Sequence, residues 1–137
     1  MGNAFVHTEL SVDDVAAAKK FYKALFDWKL NDLGPEMGNY VMIDLGSKTS
    51  GGGITGKMSP TQPTGWLSYV EVASVKATMA KAAKAGATVV VAYQQVGSMG
   101  ALGVFIDPQG AALGVWEKGK PAAKQPAAKQ PAAKKRR

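Results

Sequence analysis

An α+β fold made of two consecutive β-α-β-β-β modules is predicted by the sequence, and three observations predict it. Two stretches with helical periodicity each follow a segment of strand composition and precede three more such segments. Sliding the chain on itself by sixty residues superposes Val12 on Val72, Asp14 on Ser74 and Val15 on Val75, with the two helices in phase. Two copies are too few for a solenoid, so the repeat points to paired modules within one domain. From residue 118 onward the chain is low-complexity and lacks aromatic residues, which confines the fold to residues 1–117.

Residues 4–10 (Ala-Phe-Val-His-Thr-Glu-Leu) mix β-branched and aromatic side chains and read as a strand. Ser11 with Asp14 three residues on fits a capping box, and Asp13 and Asp14 suit the positive end of a helix dipole. Val15, Ala18, Tyr22, Leu25 and Phe26 then recur at three- and four-residue spacing, which predicts a helix ending near Asp27 with that stripe against a sheet. Strands are expected at 28–33, 40–45 and about 51–57, separated by turns such as Leu33-Gly34-Pro35. The second module repeats the order: a strand at 66–72, an Ala-rich helix at 74–85 ending at Gly86, and strands at about 87–93, 101–106 and 111–117.

Composition excludes several function classes. With no cysteine, thiol nucleophiles, disulfides and Cys-based zinc sites are ruled out. Gly-Gly-Gly-Ile-Thr-Gly-Lys at 51–57 lacks the Walker spacing, and no Gly-x-Ser-x-Gly elbow occurs. No segment has eighteen consecutive apolar residues and the first residues show no basic-then-apolar leader, so the expectation is a cytoplasmic protein without membrane contact. The net charge of +7 is not spread over the fold: residues 1–117 hold nine basic and ten acidic side chains, whereas Lys118, Lys120, Lys124, Lys129, Lys134, Lys135, Arg136 and Arg137 have no acidic counterpart. The domain is therefore −1 and the tail +8. Pro-Ala-Ala-Lys occurs three times in residues 121–135, so 118–137 reads as a disordered basic arm, either idle or in weak, salt-dependent contact with nucleic acid or another polyanion.

Three stretches resemble the vicinal-oxygen-chelate superfamily of glyoxalases, bleomycin-resistance proteins and extradiol dioxygenases. They are Val6-His7-Thr8-Glu9-Leu10, the helix from Ala17-Ala18-Lys19-Lys20-Phe21-Tyr22 through Leu25-Phe26, and Phe105-Ile106-Asp107-Pro108-Gln109-Gly110. The resemblance implies modules at about 4–57 and 66–117 whose curved sheets form a half-barrel around a central cavity, in a chain that forms a homodimer. Metal-using members hold a divalent ion with one residue from the first and one from the last strand of each module, and the ion acts as a Lewis acid. His7, the chain's sole histidine, matches the first of those positions. The others fall on Leu67, on Gly114 and on Ile54 or Thr55, none of which is a usual ligand. No cofactor is therefore expected, with a divalent metal as the alternative.

Strand alternation puts His7, Glu9 and Ser11 on one face and Leu67, Tyr69 and Glu71 on the matching face of the second module. His7 reads either as a general base with Glu9 or as a half-buried histidine hydrogen-bonded in a pocket wall, and Glu9 and Glu71 either converge on it or lie in water. The cavity lining is read as Tyr40, Met42, Trp66, Leu67, Tyr69, Glu71, Phe105, Gly114 and Trp116, with core packing as the alternative for the aromatic ones. Such a pocket suits a small aromatic or apolar molecule. Three function classes remain open: a metal-independent binding protein or enzyme of this superfamily, a metal-dependent lyase or isomerase resembling lactoylglutathione lyase, and an interaction module tethered by its tail.

Overall fold

A computed structural model describes residues 2–46 and 51–119. Among the described residues, eight strands and two α-helices follow the predicted order twice. The first pass is β1 (Phe5–Val12), α1 (Val15–Leu25), β2 (Lys29–Asp32), β3 (Val41–Asp44) and β4 (Gly52–Gly56). The second is β5 (Gly65–Glu71), α2 (Val75–Lys84), β6 (Thr88–Val96), β7 (Gly100–Ile106) and β8 (Ala112–Lys118). A 3₁₀ turn at Pro35–Met37 separates β2 from β3. Among the described residues no helix is long and apolar enough to cross a membrane.

The described residues form two compact units: those from Gly2 to Val70 together with Ala112–Gly114, and Glu71–Ala111 together with Val115–Gly119. In the first, strands lie in the order β2-β3-β4-β1-β5. β1 runs parallel to β4 and antiparallel to β5, so β1 sits inside the sheet with both edges paired. Register decides which side chains share a face. One row across the strands is Asp32, Val41, Ile54, Leu10 and Trp66; the next is Asn31, Met42, Gly53, Glu9 and Leu67. Because side chains alternate along a strand, these rows face opposite sides.

The first row faces α1. Leu10, Val41, Ile43 and Ile54 form a buried cluster against which Val15, Ala18 and Tyr22 of the helix pack, with Trp28 and Leu30. Each fully buried aliphatic side chain of this kind contributes about 1.5–3 kcal/mol relative to exposure. The predicted stripe is correct only in its first half, since Leu25 and Phe26 are 57% and 48% exposed. The capping box is also corrected. Asp14 caps α1 by accepting from the Ala17 amide at 3.0 Å, while Ser11 is buried in β1 and accepts from Gln62 at 3.0 Å. A strand that runs to Val12 leaves the polar side chain nearest the first free amides, Asp14, to do the capping.

In the second unit the strand order is β8-β7-β6, and β6 pairs antiparallel with β7 through two irregularities of register. Val75, Met79 and Val115 form its core, with Val72 and Phe105 packed against them. The start of α2 is satisfied twice: Ser74 accepts from the Ala77 amide and Glu117 accepts from the Val75 amide at 2.8 Å. A Cβ at Gly103 would crowd Met79 and Val75 of this core.

Candidate functional site

The site is built on the face of the first unit's sheet opposite α1. β1 presents His7 and Glu9 there two residues apart, and β5 brings Tyr69 opposite His7 and Leu67 opposite Glu9. Tyr40 enters from the residue before β3, held in place by the Leu33 amide on its carbonyl at 2.9 Å. Its hydroxyl lies between the two polar residues of β1: 2.7 Å from Nε2 of His7 and 3.0 Å from Oε1 of Glu9, to which it donates. The Tyr69 hydroxyl donates to the other Glu9 oxygen, Oε2, at 3.4 Å. The His7 ring is stacked with Tyr40 at 6.3 Å between centroids and tilted against Tyr69 at 5.9 Å.

Two glycines make room for the tyrosines. A Cβ on Gly53 would collide with the Tyr40 ring, and one on Gly114 would collide with the Tyr69 ring. Glycine is thus needed at 53 and 114 for the close approach of an aromatic face to the strand backbone. Gly51 and Gly52 serve the strands themselves, where added side chains would strike the carbonyls of Ile43 and Thr8. The 51–53 run is thus a place of close packing.

Burial sets the electrostatics. It lowers the pKa of His7, so the imidazole favours its neutral form. It raises the Glu9 carboxyl, an effect that the hydrogen bonds from Tyr40 and Tyr69 oppose. It raises both tyrosine hydroxyls as well, and the Glu9 charge raises them further, so both remain donors. The result is a small polar network in an aromatic wall, with a carboxylate as its acceptor end.

Not every residue expected at the cavity is brought here. Met42 shares the Glu9 row, in register with Gly53. Trp66 instead lies in the α1-side row, edge-on to Tyr22 at 5.5 Å and to Trp28 at 6.5 Å, because it pairs with Leu10 rather than Glu9. Phe105 is core of the second unit, against Val75, Met79 and Val115. Trp116 in the same unit lies where a Cβ on Gly100 would meet it, and Glu71 pairs with Lys118 at 3.3 Å. What sequence reasoning missed was the bridging role of Tyr40 and the need for Gly53. The glycine run at 51–53 was the available signal.

A divalent ion of the kind used in this superfamily needs three or four converging nitrogen or oxygen donors. Among the described residues no group of three or more histidine or acidic side chains could hold one. His7 and Glu9 are each engaged with the Tyr40 hydroxyl that stands between them. At Gly114, where the resemblance implies a ligand carboxylate, the space is taken by the Tyr69 ring. Ile54, one of its two candidate counterparts, is fully buried in the α1-side core. These residues do not fit such an ion.

The fold and the sequence together define the class: the chain belongs to the vicinal-oxygen-chelate superfamily of glyoxalases and bleomycin-resistance proteins. Residues 4–46 match the family model for the N-terminal part of bleomycin resistance protein-like proteins. Among curated relatives, CFP32 of Mycobacterium tuberculosis, which carries a provisional glyoxylase name, is 32% identical over 115 residues. That match covers 80% of this chain and 43% of CFP32. The anthracycline biosynthesis protein DnrV of Streptomyces peucetius is 28% identical over 125 residues, covering 81% of this chain and 46% of DnrV. The chain thus spans less than half the length of these relatives. Among solved structures, protein BH1468 from Bacillus halodurans superposes with a TM-score of 0.64 at 15% identity, covering 89% of this chain and 99% of that one. Methylmalonyl-CoA epimerase from Mycobacterium tuberculosis gives 0.60 at 11% identity, covering 85% and 88%. At these identities the likeness is one of fold.

Proposed function

We propose that this protein binds a small organic molecule without the help of a divalent metal, seating it against His7, Tyr40, Glu9 and Tyr69. The observation that carries this reading is the hydrogen-bonded chain from His7 through Tyr40 to Glu9, with Tyr69 on the second carboxylate oxygen. Both oxygens of Glu9 and Nε2 of His7 are engaged within this network. Tyrosine rings fill the space over Gly53 and Gly114. What the face offers a ligand is therefore aromatic surface with a few fixed polar atoms, the usual make-up of a small-molecule site. A thermal-shift screen against aromatic metabolites and against Ni, Mn, Fe and Zn tests it. A melting temperature raised by an organic compound and by none of the metals supports the reading. Stoichiometric metal in the purified protein that is lost on His7→Ala overturns it.

A second copy of the chain is the partner we infer for the outer face of α1. Phe21, Leu25 and Phe26 are 59%, 57% and 48% exposed there, and Trp66, 43% exposed, continues the patch through Tyr22. Contiguous exposed aromatic surface of this kind marks an interface. The relatives match over less than half their length, and two copies of this chain would supply a comparable length.

A further inference from the structure

We propose that the ligand carries a hydrogen-bond donor, a phenolic or enolic hydroxyl on a flat ring, and delivers it to Nδ1 of His7, with Tyr40 as the residue that sets this preference. The inference rests on the small-molecule reading above and names the class of molecule that fits it.

Counting protons shows why. The two oxygens of Glu9 face two different tyrosine hydroxyls, 3.0 Å from Tyr40 and 3.4 Å from Tyr69. A tyrosine has one hydroxyl proton, and an ionised carboxylate is acceptor-only, so the pattern of one donor on each oxygen is that of the carboxylate. The single Tyr40 proton is thereby committed to Glu9. Yet the same hydroxyl lies 2.7 Å from Nε2 of His7. With its proton spent, the Tyr40 oxygen can only accept there, so Nε2 carries the histidine proton. A neutral imidazole has one N–H, which leaves Nδ1 as a lone-pair acceptor. His7 makes no other hydrogen bond among the described residues, so Nδ1 is available to a ligand.

The charge at Glu9 sharpens the choice. An anionic ligand group placed at Nδ1 would meet a lone pair instead of an N–H, with a carboxylate nearby. A neutral hydroxyl meets a matched acceptor, and its ring lies beside the faces of Tyr40 and Tyr69. The site therefore prefers hydroxylated aromatics to their ethers and disfavours carboxylates. Tyr40 is a positioning residue in this scheme: it acts by fixing which nitrogen of His7 bears the proton.

The test uses the full chain and three probes of similar size: phenol, its methyl ether anisole, and benzoate. Because the chain has one histidine, ¹⁵N NMR reads its tautomer without assignment work. The expected result is an Nε2–H tautomer, phenol bound about five- to tenfold more tightly than anisole, as one hydrogen bond allows, and benzoate weakest. Tyr40→Phe should populate the other tautomer and shrink the phenol-to-anisole ratio severalfold. Glu9→Gln should bring benzoate closer to phenol. An Nδ1–H tautomer in the unmodified protein, or equal affinity for phenol and anisole, overturns this inference and leaves the binding reading standing. No melting shift with any of the three probes or the wider aromatic panel overturns the binding reading itself. The tautomer measurement needs no variant, so a Tyr40→Phe protein that fails to fold does not remove the test.

Discussion

His7 and Glu9 sit two residues apart on one strand, and burial moves their acidities in opposite directions, with opposite consequences for stability. Below the ordinary histidine value of 6.5 the unfolded chain takes up a proton that folded His7 resists, so His7 makes stability fall as pH drops through that value. Glu9 works the other way. Its contribution is fully present below the ordinary value of 4.5 and is lost as pH rises through the higher folded value. Melting temperatures measured from about pH 4 to pH 8 should therefore fall less steeply on the acid side of 6.5 in His7→Gln than in the unmodified protein. Glu9→Gln should lose the decline that begins above 4.5. The glycines give a third expectation at this scale. Gly114→Ala drives a methyl group into the Tyr69 ring and should cost about 1–3 kcal/mol in denaturant unfolding, as overpacking does. A variant as stable as the parent would show that the ring yields freely.

The helices were the elements most legible in the sequence, and the reasons they were also misread in part are physical. Three- and four-residue spacing located α1 to within a residue or two, but spacing alone does not say how much sheet lies beneath a helix. Leu25 and Phe26 fit the stripe and are exposed because the buried cluster ends at Tyr22. Polar residues before a helix were equally ambiguous: Ser11, Asp13 and Asp14 all suit a cap, and only the length of β1 selects Asp14. Strand alternation put Leu67 and Tyr69 on the face of Glu9 and His7, where they lie; Trp66 has the opposite parity and occupies the row of Leu10, so its aromatic character alone was a poor guide to the lining. If a second copy covers α1, Phe21→Asp with Leu25→Asp should convert a dimer to a monomer in light scattering while leaving the far-ultraviolet circular dichroism unchanged. A parent chain that is monomeric at tens of micromolar sinks that proposal.

The two-module order was readable because period-two and period-3.6 patterns repeat at a fixed distance. The chemistry was less so, because it depends on Tyr40 reaching His7 and Glu9 from more than thirty residues away. The basic tail lies almost wholly outside the described residues, and a binding measurement decides between an idle arm and one that contacts a polyanion. In the second case full-length protein should bind a labelled duplex at low salt with affinity falling steeply as salt rises, and deletion of 118–137 should abolish it. Equal affinity of the two proteins would assign the tail no such role. One contact joins positions separated by the period of the internal repeat. Glu9 and Tyr69 are sixty residues apart and hydrogen-bond to each other, the tyrosine donating and the carboxylate accepting. The same offset that aligns the modules thus pairs unlike partners here. Tyr69→Glu would set two acids against each other, obliged to share a proton.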